Sequence, residues 1–364
     1  LAELLGDFPS TYGSQWGLWT NYFLRGRLDE AIDTGRQVLQ LAEKSGVPML
    51  EVMACHAVAY SHFYRGEFLE ARATAERGLR LFSFETEREM TLNHQFSSSA
   101  ALRIILGCSQ WMLGYPEQAP PIVASGVALT RELAHHPSHA YALAASLLLH
   151  AYRLDIEATA QTAEDLFRLA KQENFEIWTP FARMFQGWVL VERGELDRGL
   201  QETRRGIKMW QETGSYLNQT IAMAMLGLSL WKAGRPEEAL TTLENEAFEA
   251  EGRSELHFAP ELYRLKGEIL LERAMLAESE ASFERARALA HQQNARMLEL
   301  RAATSLGRLW RQTGRAEAAR QMVADLLAGF TEGFATPDLT AARALLDALG
   351  TGEDPAELGA RRSV

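Results

Sequence analysis

Apolar residues recur at helical spacings along almost the whole chain. Leu18 and Tyr22 are four residues apart in one segment, and Leu226 and Leu230 are four apart in another. This spacing places them on one face of an α-helix. Few segments alternate between apolar and polar residues with the period of two that is typical of a strand. The pattern therefore predicts an all-α protein with almost no strand.

A short sequence motif with a central glycine interrupts the helical segments at regular intervals. Its clearest copy is Arg25-Gly26-Arg27, and glycine occupies six of the eight equivalent positions, the others being Leu154 and Ala274. The positions are 40 residues apart in six of the seven steps, and 48 apart in the step from 66 to 114. Glycine readily adopts the left-handed conformation that ends a helix, so each position predicts a turn. The eight predicted turns lie at 26, 66, 114, 154, 194, 234, 274 and 314.

Small and acidic residues hold fixed places around these turns. Five residues after each turn position, all eight copies carry a small residue, which lets two helices cross closely. Three residues after the turn, six copies carry an acid, which suits the positive end of a helix. These acids are Asp29, Glu117, Glu157, Asp197, Glu237 and Glu317. Each unit is predicted to be a helix of roughly 14–17 residues, a tight turn and a second, similar helix.

The small residues and the turn together resemble the tetratricopeptide repeat. The resemblance implies an all-α, right-handed superhelical solenoid of about eight helix-turn-helix repeats. The period of 40 exceeds the 34 residues typical of that family, so we expect a wider or more loosely wound superhelix. Residues 1–349 are predicted to form this single solenoid. It would include a longer connection at about 83–99 and a capping helix at about 337–349, followed by a flexible tail at 350–364.

Four longer stretches carry a closer resemblance, at 111–119, 261–268, 298–306 and 330–334. Together they resemble the C-terminal repeat region of bacterial signalling proteins that carry a cyclase-type domain and a STAND-type ATPase upstream. The resemblance implies a regulatory or partner-sensing role, with any cyclase or ATPase activity outside this chain. The first residue is Leu1, without an initiating Met, as expected for a piece of a longer protein.

The charge balance argues against nucleic acid as a partner. The chain has 37 Lys and Arg against 48 Asp and Glu, a net charge of −11, which suits a phosphate backbone poorly. A local basic strip is the exception, formed by Arg301, Arg308, Arg311 and Arg315. Two cysteines are too few for a disulfide framework, and no apolar run approaches the length of a membrane span. We therefore expect a cytoplasmic protein without a membrane anchor.

No catalytic or cofactor motif emerges from the sequence. It contains neither a Gly-x-x-x-x-Gly-Lys phosphate loop nor a His-Glu-x-x-His zinc motif. His135 and His139 are four residues apart, but Pro137 interrupts their helix, which favours a loop over a metal site. The adjacent Cys55 and His56 lie in the middle of a predicted helix, where Cys is usually a core residue. We predict a non-catalytic protein without a metal or cofactor.

The tetratricopeptide pattern places the first helix of each unit on the concave face of the superhelix. The positions facing this groove lie 10, 6, 3 and 2 residues before each turn. They are aromatic and apolar in units one to six and charged in units seven and eight. The predicted groove residues are Trp16, Phe23, Tyr60, Phe63, Tyr64, Trp111, Tyr152, Trp188, Trp231, Arg264 and Arg308.

An apolar groove of this kind indicates a binding surface. The leading hypothesis is a protein or peptide partner, including upstream cyclase or ATPase domains of the same protein. A small apolar ligand sensed by the solenoid and self-association of the chain are the alternatives. A structural alternative also stays open, because a 40-residue repeat can twist these positions into contacts between helices.

Overall fold

The computed structural model describes residues 8–91 and 96–350, which contain eighteen helices and no strand. The helices pair into stacked helix-turn-helix units, which confirms the predicted α-solenoid with a capping helix at its end. In chain order they are α1 (Phe8–Leu24), α2 (Leu28–Ser45), α3 (Pro48–Tyr64), α4 (Phe68–Leu79), α5 (Phe84–Thr91), α6 (Ser98–Met112), α7 (Ala119–Glu132), α8 (His136–Tyr152), α9 (Ile156–Gln172), α10 (Trp178–Glu192), α11 (Leu196–Glu212), α12 (Gln219–Lys232), α13 (Pro236–Arg253), α14 (Ala259–Glu272), α15 (Leu276–Gln292), α16 (Arg296–Gln312), α17 (Ala316–Ala328) and α18 (Pro337–Gly350).

All eight turn positions have the left-handed backbone conformation. The six glycines have φ between 70° and 96°, and Leu154 and Ala274 have φ of 55° and 58°. At each turn the next residue donates its N–H to the carbonyl four residues before the turn position, as from Arg27 to Tyr22 at 2.9 Å. This closure caps the first helix of each unit, and it forms even where the turn residue has a side chain.

A second left-handed residue ends the second helix in six of the units, twenty positions after the turn. These residues are Gly46, Ala134, Asn174, Gly214, Ser254 and Asn294. Because four residue types share this role, the sequence pattern did not reveal it. In these units the end of the first helix and the end of the second helix are thus twenty residues apart.

The extra eight residues of the long step build a helix of their own. α5 lies between the second and third units, and residues 92–95 of the predicted connection lie outside the described residues. The buried carboxylate of Glu87 on α5 accepts hydrogen bonds from the Ser97 hydroxyl and from the backbone N–H of Ser99. An acid is favourable at this place because the first turn of α6 carries unpaired N–H groups.

Successive turns of the superhelix are in direct contact, which contradicts the expectation of a more loosely wound superhelix. Tyr216 donates its N–H to the carbonyl of Leu24 at 2.8 Å, and Leu256 donates to the carbonyl of Tyr64 at 2.9 Å. The Arg301 guanidinium donates to the carbonyl of Tyr152 at 2.8 Å. Each acceptor lies at the C-terminal end of a first helix, where carbonyls lack intrahelical partners. We call these contacts between successive turns of the superhelix, made by 24, 64 and 152 with 215–218, 254–258 and 301, the inter-turn seam.

The C-terminal cap continues this closure. α18 packs on the last unit through the buried side chains of Leu339 and Leu345. The carboxylate of Glu332, in the preceding loop, accepts N–H groups of Glu117 and Gln118 at 2.9 and 3.2 Å. The loop after the eighth unit is thereby bound to the third unit. The predicted tail from residue 351 onward lies outside the described residues.

Ion pairs also link consecutive units. An acid three residues after one turn pairs with an arginine one residue before the next turn. These pairs are Arg65–Asp29, Arg193–Glu157 and Arg273–Glu237, at 3.1, 2.8 and 2.9 Å. The acidic column of the repeat therefore contacts the neighbouring unit as well as suiting its own helix start.

Candidate ligand-binding cleft

Seven of the eleven predicted groove residues are buried, each at most 6% exposed. They are Phe23, Tyr60, Phe63, Tyr64, Trp111, Tyr152 and Trp188. Their predicted exposure is wrong, because the seam and the neighbouring first helices cover these positions. Trp111, for example, stacks on Tyr152 with ring centroids 5.7 Å apart. Direct contact of these seven with a partner stays a prediction, and their burial counts against it.

The four other predicted residues are accessible, although two are engaged in ion pairs. The Arg264 side chain is 16% exposed and lies between Glu261 and Glu268, at 2.7 and 2.9 Å. The Arg308 side chain is 48% exposed and is 4.0 Å from Glu268. This charged end of the predicted groove is largely neutralised by its own acids.

Trp16 and Trp231 are both half-buried. The Trp231 indole donates to Glu272 at 2.7 Å. Trp16 instead faces a cavity.

This cavity, which we call the aromatic cleft, has a volume of about 550 Å³. It lies at the N-terminal end of the solenoid, where first helices of the early units converge. Its half-buried rings come from α1, from the residue two before α6, from α8 and from α10. These rings are Trp16, Phe96, Tyr141 and Trp178.

The rings form a continuous wall. Ring centroids are 5.9 Å apart between Trp16 and His56, and 6.0 Å apart between His56 and Tyr141. Tyr141 then contacts Phe96 at 4.9 Å and Trp178 at 6.0 Å. These separations are those of tilted and edge-to-face aromatic pairs. The wall therefore holds its rings in fixed orientations around the cavity.

Within the described residues, most side-chain polar groups of the wall are already engaged, except the indole N–H groups of Trp16 and Trp178. The His56 ring nitrogens lie 3.3 Å from the Ser98 hydroxyl and 3.3 Å from the Tyr141 hydroxyl. The Trp19 indole donates to Ser61 at 3.0 Å. Burial lowers the pKa of His56 to about 3, so the imidazole is neutral at pH 7. Among the described residues that line the cleft, none carries a charge at neutral pH.

Only part of this site was predictable from the sequence. Trp16 and Phe23 line the cleft as well as standing in the predicted groove set. Phe96, Tyr141 and Trp178 were missed because they precede their turns by 18, 13 and 16 residues, outside the expected groove positions. A search for aromatic residues at the starts of first helices would have found Tyr141 and Trp178.

The residues examined for catalysis or metal binding have structural surroundings. Burial raises the pKa of the Cys55 thiol to about 12, which disfavours the reactive thiolate. His135 caps α8 by accepting the N–H of Ser138 at 3.4 Å, and His139 lies 2.9 Å from the Thr130 hydroxyl. No group of three or more metal-ligating side chains occurs within residues 8–91 and 96–350.

A buried polar cluster lies in the seam, opposite in character to the cleft. Glu255 is fully buried, and one of its oxygens accepts the N–H and hydroxyl of Thr220 at 3.2 and 3.0 Å. Burial raises the pKa of Glu255 to about 8 and lowers that of the neighbouring His257 to about 3. The Tyr64 hydroxyl donates to Asn218 at 2.8 Å beside them. The cluster is thus largely uncharged at pH 7 although it contains three titratable side chains, those of Glu255, His257 and Tyr64.

Comparison with known proteins supports the fold, a tetratricopeptide-like helical repeat. No model of a known protein family matches the chain. An uncharacterized protein of Rhizobium meliloti (strain 1021) is 23% identical over 269 residues, which is 72% of this chain and 26% of that protein. The chain therefore spans about a quarter of the relative's length. In the described helices, none is long and apolar enough to cross a bilayer.

Several solved structures share the fold at low identity. A Rap protein in complex with Competence and Sporulation Factor has a TM-score of 0.58 and 9% identity, covering 94% of this chain and 98% of that one. The apo form of RapI has a TM-score of 0.53 and 12% identity, covering 78% and 98%. The Rap conjugation gene regulator of plasmid pLS20, in complex with the Phr* peptide, has a TM-score of 0.52 and 12% identity, covering 94% and 96%.

Proposed function

We propose that this chain is a non-catalytic regulatory module that binds a peptide or an extended segment of a protein in its aromatic cleft. The observation that carries the proposal is the cleft itself, a 550 Å³ cavity with four half-buried aromatic rings. Aromatic residues in a concave, partly desolvated site supply most of the energy in many interfaces. Trp16 and Phe23 carry over from the predicted groove into this proposed site.

The solved structures of similar fold support a peptide as the ligand. One was solved with the Phr* peptide and another with Competence and Sporulation Factor. A repeat solenoid offers one continuous inner surface to a ligand, so a related shape suits related binding. We extend this to the present chain as part of the proposal.

The setting we propose is a larger bacterial signalling protein in the cytoplasm. The Rhizobium relative extends well beyond the matched region, since this chain covers 26% of it. Upstream domains of the cyclase or ATPase type, if present, are candidate intramolecular partners for the same cleft. A small apolar ligand is the second candidate, favoured by the lining of the cleft, which comes from the five helices α1, α3, α6, α8 and α10.

A phage-displayed library of twelve-residue peptides tests the binding function. The library is panned against the purified chain, and enriched peptides are synthesised and titrated by calorimetry. We expect enrichment of a common motif and saturable one-to-one binding. An unrelated helical protein is panned in parallel, and peptides enriched on both proteins are discarded as non-specific. The absence of any peptide that binds this chain over that control would contradict the proposal.

A further inference from the structure

We propose that the aromatic cleft selects an uncharged aromatic side chain, Phe or Trp, presented by the bound peptide. This inference rests on the proposed function, because the side chain belongs to the peptide. It goes further by naming the chemistry that the cleft accepts and the chemistry that it rejects.

The described lining of the cleft carries no charge. A charged side chain entering the cavity would lose its hydration, and the lining residues contain no carboxylate, ammonium or guanidinium to replace it. The one titratable base in the wall, His56, is buried and neutral at pH 7. An acidic or a basic side chain would therefore be excluded.

Most side-chain polar atoms of the wall are used internally. His56 lies against Ser98 and Tyr141, the Trp19 indole is bonded to Ser61, and the Thr20 hydroxyl donates to the Trp16 carbonyl at 2.9 Å. A neutral polar side chain would have to disrupt one of these bonds, unless it accepts from the indole N–H of Trp16 or Trp178, which have no hydrogen-bond partner among the described residues. Amide and hydroxyl side chains are consequently disfavoured as well.

Four aromatic rings of the cleft remain partly open to a ligand. Trp16, Phe96, Tyr141 and Trp178 are half-buried, so each has part of its ring accessible. They come from four separate elements and surround one cavity, so an inserted ring can contact several of them by stacked or edge-on packing. A leucine side chain fills the same space without these ring contacts. We expect an aromatic side chain to be preferred over leucine by about fivefold.

Fluorine NMR on the full chain tests the site directly. All eight tryptophans are labelled as 5-fluorotryptophan, and resonances are assigned with single Trp→Phe variants. N-acetyl-phenylalanine amide, N-acetyl-leucine amide and N-acetyl-lysine amide are titrated separately. We expect saturable shifts of Trp16 and Trp178 with the phenylalanine amide, weaker shifts with the leucine amide and none with the lysine amide. Trp310, which bonds to Glu280 in the last unit, should not move.

Variants of the chain and of a selected peptide complete the test. Trp178→Ala should weaken peptide binding by about tenfold or more, and Trp178→Phe should restore it to within about threefold, since a ring is retained. Trp310→Ala is the matched control, because it removes a half-buried tryptophan of another first helix, outside both the cleft and the predicted groove, and should leave affinity unchanged. Replacing the aromatic residue of the peptide by Lys should reduce affinity by about tenfold or more.

The outcomes separate this inference from the proposed function. Equal shifts of Trp16 and Trp178 with the lysine amide, or no shift with the phenylalanine amide, would overturn the selectivity. Peptide binding that is insensitive to Trp178→Ala but lost in Trp231→Ala, in the predicted groove, would keep the binding function and overturn the site. If panning yields no peptide, the binding function fails, while the amide titration still decides whether the cleft prefers a ring.

Discussion

The aromatic cleft and the inter-turn seam are built from the same kind of residue on the same set of helices, yet one is open and the other closed. In the seam, Tyr64 and Tyr152 stand two residues before their turns, where later loops pack on them. In the cleft, Trp16 stands ten residues before its turn and Trp178 sixteen before, away from those loops. The comparison teaches that contacts between distant units, more than residue type, decide which rings remain accessible.

The two regions also differ in what they hold. The seam contains buried titratable groups such as Glu255 and Arg301, which need specific partners to be stable. The cleft holds neutral rings around an open cavity. The seam is accordingly expected to determine stability and the cleft to determine binding.

The largest effect is expected from removing a ring beside the seam. Trp111 is 1% exposed, stacks on Tyr152 and has the Arg301 guanidinium 5.5 Å from its ring. Trp111→Ala should lower the free energy of unfolding by about 3–5 kcal/mol, because it leaves a large cavity. Urea unfolding followed by circular dichroism measures this. Phe248→Ala serves as the control, since Phe248 is 77% exposed and its loss should change stability by less than about 0.5 kcal/mol.

The next effect is a dependence of stability on pH in the range above 6.5, which the seam creates and the cleft does not. The pKa of Glu255 rises from 4.5 to about 8 on folding, so the folded state keeps a proton that the unfolded state has released. Stability should therefore fall as the pH rises towards 8, by at most about 1.4 kcal/mol per pH unit. Glu246, with a pKa raised to about 7 by burial, contributes in the lower part of this range.

The contribution of Glu255 to the pH dependence of stability can be measured separately from that of the histidines between pH 6.5 and 8. His56 and His257 have pKa values lowered to about 3 by burial, so they reduce stability only as the pH falls below 6.5. Glu255→Gln keeps an acceptor for Thr220 and cannot ionise. Chemical unfolding of this variant at several pH values should give a flatter profile above pH 6.5 than the wild-type chain. If the slope of unfolding free energy against pH is unchanged in Glu255→Gln, a group other than Glu255 retains the proton in the folded state.

A smaller effect is expected at the turns that contact the seam. Gly66 has φ of 81°, and a Cβ there would lie 2.4 Å from the Gln293 side chain, which donates to the Leu256 carbonyl at 2.8 Å. Gly194 has φ of 88° and no atom within 4 Å of its Cβ position. Gly66→Ala and Gly194→Ala share the cost of a left-handed alanine, about 1 kcal/mol. Thermal unfolding should show that Gly66→Ala is less stable by about a further 1 kcal/mol, and equal values would argue against a stabilising seam contact there.

The smallest change in stability is expected in the cleft. Trp16 is half-buried on the first helix and contacts Trp19 and His56 on one side only. Trp16→Ala should lower the free energy of unfolding by about 1 kcal/mol, while weakening the binding of a cleft ligand. Differential scanning calorimetry gives the first quantity and peptide titration the second. A loss of stability as large as that of Trp111→Ala would remove the distinction between the two regions.

Much of the local structure was predictable from the repeat. Gly26 and its equivalents marked the turns, because the left-handed conformation at the end of a helix favours glycine at that position. Even Leu154 and Ala274 could be placed, since their neighbours keep the period. The helix ends at Asn174 and Ser254 were not predictable, because several residue types satisfy that conformation.

The sequence by itself determined the helices, the turns, the number of units and the cap, because each follows from local backbone preference and from an apolar face repeated every 40 residues. The winding of the superhelix was decided only in the tertiary structure. Small rotations between units add up along the chain, and the total rotation cannot be inferred from any single residue. That sum brings Leu256 against Tyr64 and sets Trp16 in the same cleft as Trp178. Whether an aromatic residue on a first helix is buried or open to a ligand depends on these distant contacts.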